Sequence, residues 1–352
     1  MFFLLLLALC SGFSAAIACP PLKGDIQFDN VFQLYPAYFV WDSTRCLIYA
    51  SSIFNATVAV LDPYKSELLE IIKFPGMSHS GLEKSDKRLP GISLDVASSV
   101  LTVIIQADEF FLTGGNDVSG DNFVIRYDLN KKSILSEVNL TDTTRGQYGG
   151  FLDIEPGLDD DIFVNGAYPA SILRISNDNK VSPYFVSKPT TPPRTYGFGG
   201  LARYGHLLIT NDNPHHQLVK FDLGTHNIAT PVVIPQTTYH NFSAGTSLRL
   251  PQKYRGNVLL QTESNVAQNI TGVSVWSTAD SWQTAEYHGL IDGRNDFDGF
   301  APAISQVDVR EIMGRIYSSI LFYDNTVNPT MAGNRSNFML RDISSKVDAL
   351  LK

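Results

Sequence analysis

The chain has 352 residues, 44% of them hydrophobic and 18% charged, with a formal net charge of −8. The hydrophobic fraction excludes a disordered chain, and the negative balance argues against a nucleic-acid or anionic-membrane surface. Three cysteines are too few for a disulfide-built mini-scaffold, and the low charge fits a fold that covers its surface with Ser, Thr and Asn.

Residues 1–18 carry no Asp, Glu, Lys or Arg. The apolar run Phe2–Leu9 is broken by Ser11, Gly12 and Ser14, and Ala16-Ile17-Ala18 supplies a small-x-small cleavage pattern. The run is too short for a stable membrane span and reads as a signal peptide, although no Lys or Arg precedes it. Cys19 after the cut also raises a bacterial lipoprotein, but Ala16 stands where that pattern wants Leu. The expectation is a protein of the secretory pathway, with residues 19–352 as one domain. Its two remaining cysteines, Cys19 and Cys46, either pair and tie down the N-terminus or stay as free thiols. Sequons at Asn55, Asn139, Asn241, Asn269 and Asn334 make it a candidate glycoprotein.

The run Ile26–Leu34 has no partners of its own. After it, short runs rich in Val, Ile, Leu, Phe and Tyr alternate with Gly, Pro, Asn and Asp, the pattern of a many-stranded antiparallel fold. One strand-plus-turn piece recurs as Val58–Asp62, Phe123–Asp128, Ser171–Ser176 and Gln217–Asp222, and more weakly as Val273–Ser277 and Asn337–Asp342. A Gly- or Pro-led piece precedes it at Pro90–Leu94, Gly149–Leu152, Gly197–Leu201, Ala244–Leu248 and Phe300–Ile304. Second strands are expected at Leu47–Ser51, Leu101–Gln106, Ile162–Asn165, His206–Asn211, Val258–Glu263 and Tyr317–Tyr323. Six units of about 56 residues each hold four strands, so the expected fold is an all-β, six-bladed propeller. Glycine suits the inner strands, where backbones crowd the axis. The N-terminal run closes the ring as the outer strand of the last blade. A pair of β-sandwiches would not explain six copies of both pieces.

In such a fold the ends of second strands and the starts of inner strands meet at one mouth of the axial channel. That filter collects the carboxylates Asp108, Asp212, Glu263 and Asp324 as acid–base candidates. It also collects Tyr148, Asn165, Tyr168, Tyr196, Phe198, Asn211, Phe300 and Tyr323 as candidates for contacting ligand. A polar floor with aromatic walls suits a small hydrophobic, oxygenated ligand. Asn and Asp also end strands for turn reasons alone. His215-His216 is a poor metal pair, since adjacent strand residues face opposite ways. Gly76–Gly81 reads as a loop over the mouth, and Asp159-Asp160-Asp161 as a solvated turn on the opposite face. With no phosphate loop, zinc spacing or dinucleotide fingerprint, no cofactor is expected. The expected partner is a small molecule, with no nucleic acid, no stable membrane insertion and a monomeric chain.

Several stretches resemble a group of secreted fungal six-bladed propellers that includes the major propeller allergen of Malassezia yeasts and the core trichothecene-cluster protein fourteen. They are Asp42-Ser43-Thr44-Arg45, Gly91-Ile92-Ser93-Leu94, Tyr168–Ile175, the set Ser277, Asp280, Trp282 and Ala285, and Phe322-Tyr323-Asp324-Asn325. The resemblance covers the whole mature chain, and the toxin-cluster branch is favoured. It implies a part in making trichothecenes, which are oxygenated sesquiterpenoids, or in virulence. Three functions are compatible with it. One is an acid–base protein assisting ring closure of a trichothecene intermediate, with Tyr148 and Tyr196 positioning the rings. Another is a non-catalytic module that binds a ligand or the host. The last is a metal-dependent lactonase recruiting Glu263, Asn165, Asn211 and Asp324.

Overall fold

A computed structural model of the chain describes residues 19–81, 86–224, 229–242, 244–265, 268, 270–294, 304–328 and 331–352. Residues 1–18, Asn269 and Phe300 lie outside the described residues.

Six antiparallel sheets form the blades of a propeller. The inner strands are Pro36–Asp42, Ile92–Asp95, Gly149–Pro156, Phe198–Tyr204, Gly245–Arg249 and Ile304–Ile312, in blades one to six. The second strands are Leu47–Ser52, Val100–Ala107, Ile162–Tyr168, Leu207–Asp212, Val258–Asn265 and Arg315–Phe322. Each blade adds a third and an outer strand in chain order. The last blade is the exception: its outer strand is Ile26–Phe28, paired with Phe338–Asp342. The two ends of the chain therefore share one sheet. Only three residues of the N-terminal run are strand; the rest leads into the first blade. Short helices occur at Glu109–Leu112, Thr141–Thr144 and Ser344–Leu350.

The recurring Asp at the end of a strand acts on the following turn. Asp62, Asp128 and Asp222 each accept a backbone N–H two residues on, at 2.9, 2.8 and 2.8 Å. Asp42 does the same for Thr44 at 2.8 Å and adds an ion pair with Arg45. These are Asx turns, which fix the hairpin and satisfy amides that the ladder leaves free. The Ser277–Ala285 stretch has the same logic. Asp280 accepts the N–H groups of Gln283 and Thr284, which with its side-chain partners hold its carboxyl down at about 2. The turn drives Trp282 between blades four and five, fully buried, with Nε1 donating to the Gly256 carbonyl at 2.9 Å.

Side chains between neighbouring blades form the core, as in the Phe163, Phe198 and Phe221 group between blades three and four. Near the axis there is no room for them. A Cβ at Gly199 would stand 1.7 Å from the Gly245 carbonyl oxygen, so blades four and five touch backbone to backbone. Gly199→Ala is expected to lower stability by about 1–3 kcal/mol through overpacking. Thermal unfolding that matches wild type would show that the blades can separate there without penalty.

Cys19 and Cys46 form a disulfide. It ties the N-terminal segment to the first blade just before that segment closes the last one. No described helix is long and apolar enough to cross a membrane.

Candidate functional site

The mouth of the channel is aromatic. Tyr168 ends the second strand of blade three, and Tyr196 precedes the inner strand of blade four. Their rings lie 5.5 Å apart, and Phe110 packs on Tyr168 at 6.1 Å. The Tyr196 hydroxyl donates to the Gly245 carbonyl at 2.8 Å. Tyr323 lies near Ser305 and Arg88, both of which favour its ionised form. Burial pushes the phenols of Tyr196 and Tyr323 up, with neighbouring tyrosines adding to the effect at Tyr196. Both therefore stay protonated at neutral pH.

Arg88 sits on a two-residue strand that pairs with the end of Val100–Ala107, and it forms a buried ion pair with Asp108. Its guanidinium lies over Phe54 and Phe111, 5.0 and 4.6 Å from the ring centres. Cation–π contact and the carboxylate together hold a charge that burial alone would not allow.

The other acid–base candidates do not join Asp108. Asp324 is held bidentately by Arg335 at 2.8 Å and accepts the Tyr35 hydroxyl. Asp212 takes His215 and Gln217. Glu263 is buried against His240 and Ser274 at the border of blades four and five. Asn165 links the Asp153 N–H to the Phe198 carbonyl, and Asn211 accepts the N–H groups of Gly199 and Gly200. Both amides therefore fasten inner strands to their neighbours. Tyr148 and Phe198 are interior side chains, in the core of blades two to three and three to four. The four groups wanted for a lactonase metal are thus engaged separately. No three His, Cys, Asp or Glu side chains among the described residues are grouped to hold an ion. His215 and His216 also have separate partners, Asp212 and the Phe242 carbonyl. The exposed sequons are Asn241 and Asn334, whereas Asn55 and Asn139 are half-buried.

Deeper along the axis lie charges that the mouth filter missed. Arg249 grips Asp153 with both terminal nitrogens, at 2.6 and 2.9 Å, and pairs with Asp308 at 2.9 Å. Asp308 also holds Arg310 at 2.9 Å. Leu201 and Phe39 donate their N–H groups to Asp153 and Asp308. This network joins the inner strands of five blades. Its three main members, Asp153, Arg249 and Asp308, each occupy the fifth position of an inner strand. Charged residues inside Phe151-Leu-Asp-Ile-Glu, Ser247-Leu-Arg and Val307-Asp-Val-Arg were the available signal, because a charge in a buried run must find a partner.

Beyond the network the channel opens at its other end into a cavity of about 560 Å³, lined by residues of all six blades. Glu155 stands in it. Burial pushes its carboxyl up to about 7, Asp153 adds to this, and Arg249, Arg310 and Arg203 oppose it. The folded state keeps a proton that the unfolded chain releases near 4.5. Stability should therefore be full below that pH and decline as pH rises towards 7. Glu155→Gln is expected to melt like wild type at about pH 4.5 and higher than wild type at pH 8. Identical melting at both pH values would show that the carboxyl is not desolvated.

The architecture is that of a six-bladed propeller whose axis carries an aromatic mouth, a central ion-pair network and a far cavity. The chain is 38% identical over 340 residues to trichothecene biosynthesis protein 14 of Trichoderma arundinaceum, covering 95% of this chain and 92% of that one. It is 35% identical over 355 residues to core trichothecene cluster protein 14 of Fusarium sporotrichioides, covering 96% and 90%. The chain belongs to this trichothecene-cluster protein 14 family. Among solved structures it is similar to the major allergen Mala s 1 of Malassezia sympodialis, with a TM-score of 0.75 and 19% identity over 92% of this chain and 96% of that one. A luciferin-regenerating enzyme has a TM-score of 0.55 at 12% identity, covering 90% and 97%; these two likenesses show the fold. No family model matches the chain.

Proposed function

We propose that the chain takes part in trichothecene biosynthesis by binding an oxygenated sesquiterpenoid at the aromatic mouth and assisting an intramolecular ring closure there. The observation that carries this is the 38% identity, over nearly the whole chain, to a relative named for trichothecene biosynthesis. The mouth supports it chemically. Tyr168 and Tyr196, half-buried with Phe110 packed behind them, offer flat apolar surface to a hydrocarbon skeleton. Closure forms a C–O bond from one hydroxyl oxygen of the substrate and breaks the C–O bond of another. The leaving oxygen needs a proton, the attacking oxygen must lose one, and the sum is release of one water. In this reading Tyr323, kept neutral by burial, donates the proton, and Asp108, paired with Arg88, accepts the other.

Purified protein should convert a dihydroxylated precursor to the cyclic ether faster than buffer does, followed by chromatography and mass spectrometry. Asp108→Asn and Tyr323→Phe should each lower that rate by about 10²-fold. A wild-type rate equal to buffer sinks the catalytic reading, and saturable binding without turnover leaves a carrier.

The same proposal includes export. The Cys19–Cys46 disulfide lies directly after the leader-like segment, as suits an oxidising compartment. Glycosidase treatment of the secreted chain should remove mass that Asn241→Gln and Asn334→Gln also remove.

A further inference from the structure

The cavity at the far end of the channel has no part in the chemistry placed at the mouth. The Asp153–Arg249–Asp308 network lies between the two. The cavity opens to solvent beside Pro156 and Met313, both exposed. Its size falls in the range of small-molecule sites, roughly 300–1,000 Å³.

Charges of both signs line it. Arg203, Arg249 and Arg310 stand with Glu155 and Glu311, and Asp153 and Asp308 lie behind Arg249 and Arg310. An ion of either sign would be attracted by one set and repelled by the other, so a neutral guest fits better. Hydrogen-bonding capacity remains beside these charges. One oxygen of Glu155 accepts the Arg203 N–H at 3.2 Å, and its other oxygen has no hydrogen-bond partner among the described residues. On the same lining, Nη2 of Arg203 and Nη1 of Arg310 have no hydrogen-bond partner among the described residues. A free acceptor and a free donor on one surface match hydroxyl groups, which give and take. Beside them stand the apolar side chains of Trp41, Leu94, Leu250 and Met313.

We infer that this cavity is a second binding site, independent of the mouth, for a neutral molecule bearing neighbouring hydroxyls on a compact hydrocarbon frame. Glu155 accepts from one hydroxyl, and the guanidinium groups around it donate to the other. The hydrocarbon packs on Trp41 and the leucines.

The test uses the whole chain and pinanediol, a bicyclic vicinal diol, with pinane as the frame without hydroxyls. Binding is read by calorimetry and by fluorescence, since Trp41 lines the cavity while Trp276 and Trp282 are buried elsewhere. Wild type should bind the diol saturably and pinane at least about tenfold more weakly, as befits lost charge-assisted hydrogen bonds. Glu155→Leu should weaken the diol by about tenfold or more, while Tyr196→Phe at the mouth leaves it unchanged. Glu155→Gln keeps the shape and one acceptor; it should bind at intermediate strength and, unlike wild type, without change between about pH 6 and 8. That second variant keeps the test decisive if the leucine variant does not fold. Absence of saturable binding, equal binding of diol and pinane, or loss of binding only in the mouth variant would overturn the proposal. None of these outcomes depends on turnover at the mouth, so the two proposals fail separately.

Discussion

Arg249→Leu is expected to lower the unfolding free energy by about 3–5 kcal/mol, the largest loss we anticipate for one substitution. The reason is what stays behind. Asp153 and Asp308 are fully buried, and Arg249 is the cation that each shares. Asp308 would retain Arg310, but Asp153 would keep only backbone donors. An unpaired buried carboxylate must stay charged at great cost or take up a proton. The loss should therefore shrink as pH falls through the carboxylate range. Urea unfolding of the variant at about pH 7 and pH 4 checks both parts. A variant that also carries Asp153→Leu and Asp308→Leu should recover much of the loss, because an apolar set of similar volume can replace a buried charge network. A single variant within about 0.5 kcal/mol of wild type would show that the network is solvated and holds nothing together.

Opening the ring at its seam should have an effect of similar size. The last blade is completed by Ile26–Phe28 against Phe338–Asp342, and Phe28 is fully buried there. Phe28→Ala should cost about 3–5 kcal/mol through lost burial and a cavity. Removing the disulfide with Cys46→Ser should cost about 2–4 kcal/mol, since it frees the 27-residue separation that Cys19–Cys46 closes. Both substitutions act on one segment. Once the disulfide is gone the closing strand can detach more easily, so the double variant should lose less than the sum of the two. Denaturant unfolding of the three variants reads this directly. Strict additivity would mean that the seam and the disulfide stabilise separate parts of the chain.

The strands themselves were legible because their signals are local. Val58–Asp62, Phe123–Asp128 and Gln217–Asp222 alternate in hydrophobicity and end in an Asp that makes its own turn, and each is a third strand. A lone apolar run at Ile26 with no partners of its own pointed to closure of the last blade by the N-terminus. Its length was less legible, because Val31 and Leu34 beyond Phe28 are buried by contacts outside the sheet. The site was harder to read. A filter on strand ends collected Tyr168, Tyr196, Tyr323 and Asp108 at the mouth. It also collected Phe198 and Tyr148, whose side chains turn into the core between blades. Position along a strand says which end a residue is near, not which face it takes once register shifts intervene, as between Phe198 and Leu201.

By itself, the sequence determined the number of blades, the order of strands within them, the turns and the closing segment, since each depends on residues within a few positions of one another. Which charges meet was decided only by the tertiary structure. Asp153 and Arg249 are 96 residues apart, and only the angle between blades three and five brings them within 2.6 Å. The same closure separates the aromatic mouth from the cavity around Glu155. A composition of −8 net charge says nothing of that division, because the axis gathers charges of both signs from distant parts of the chain.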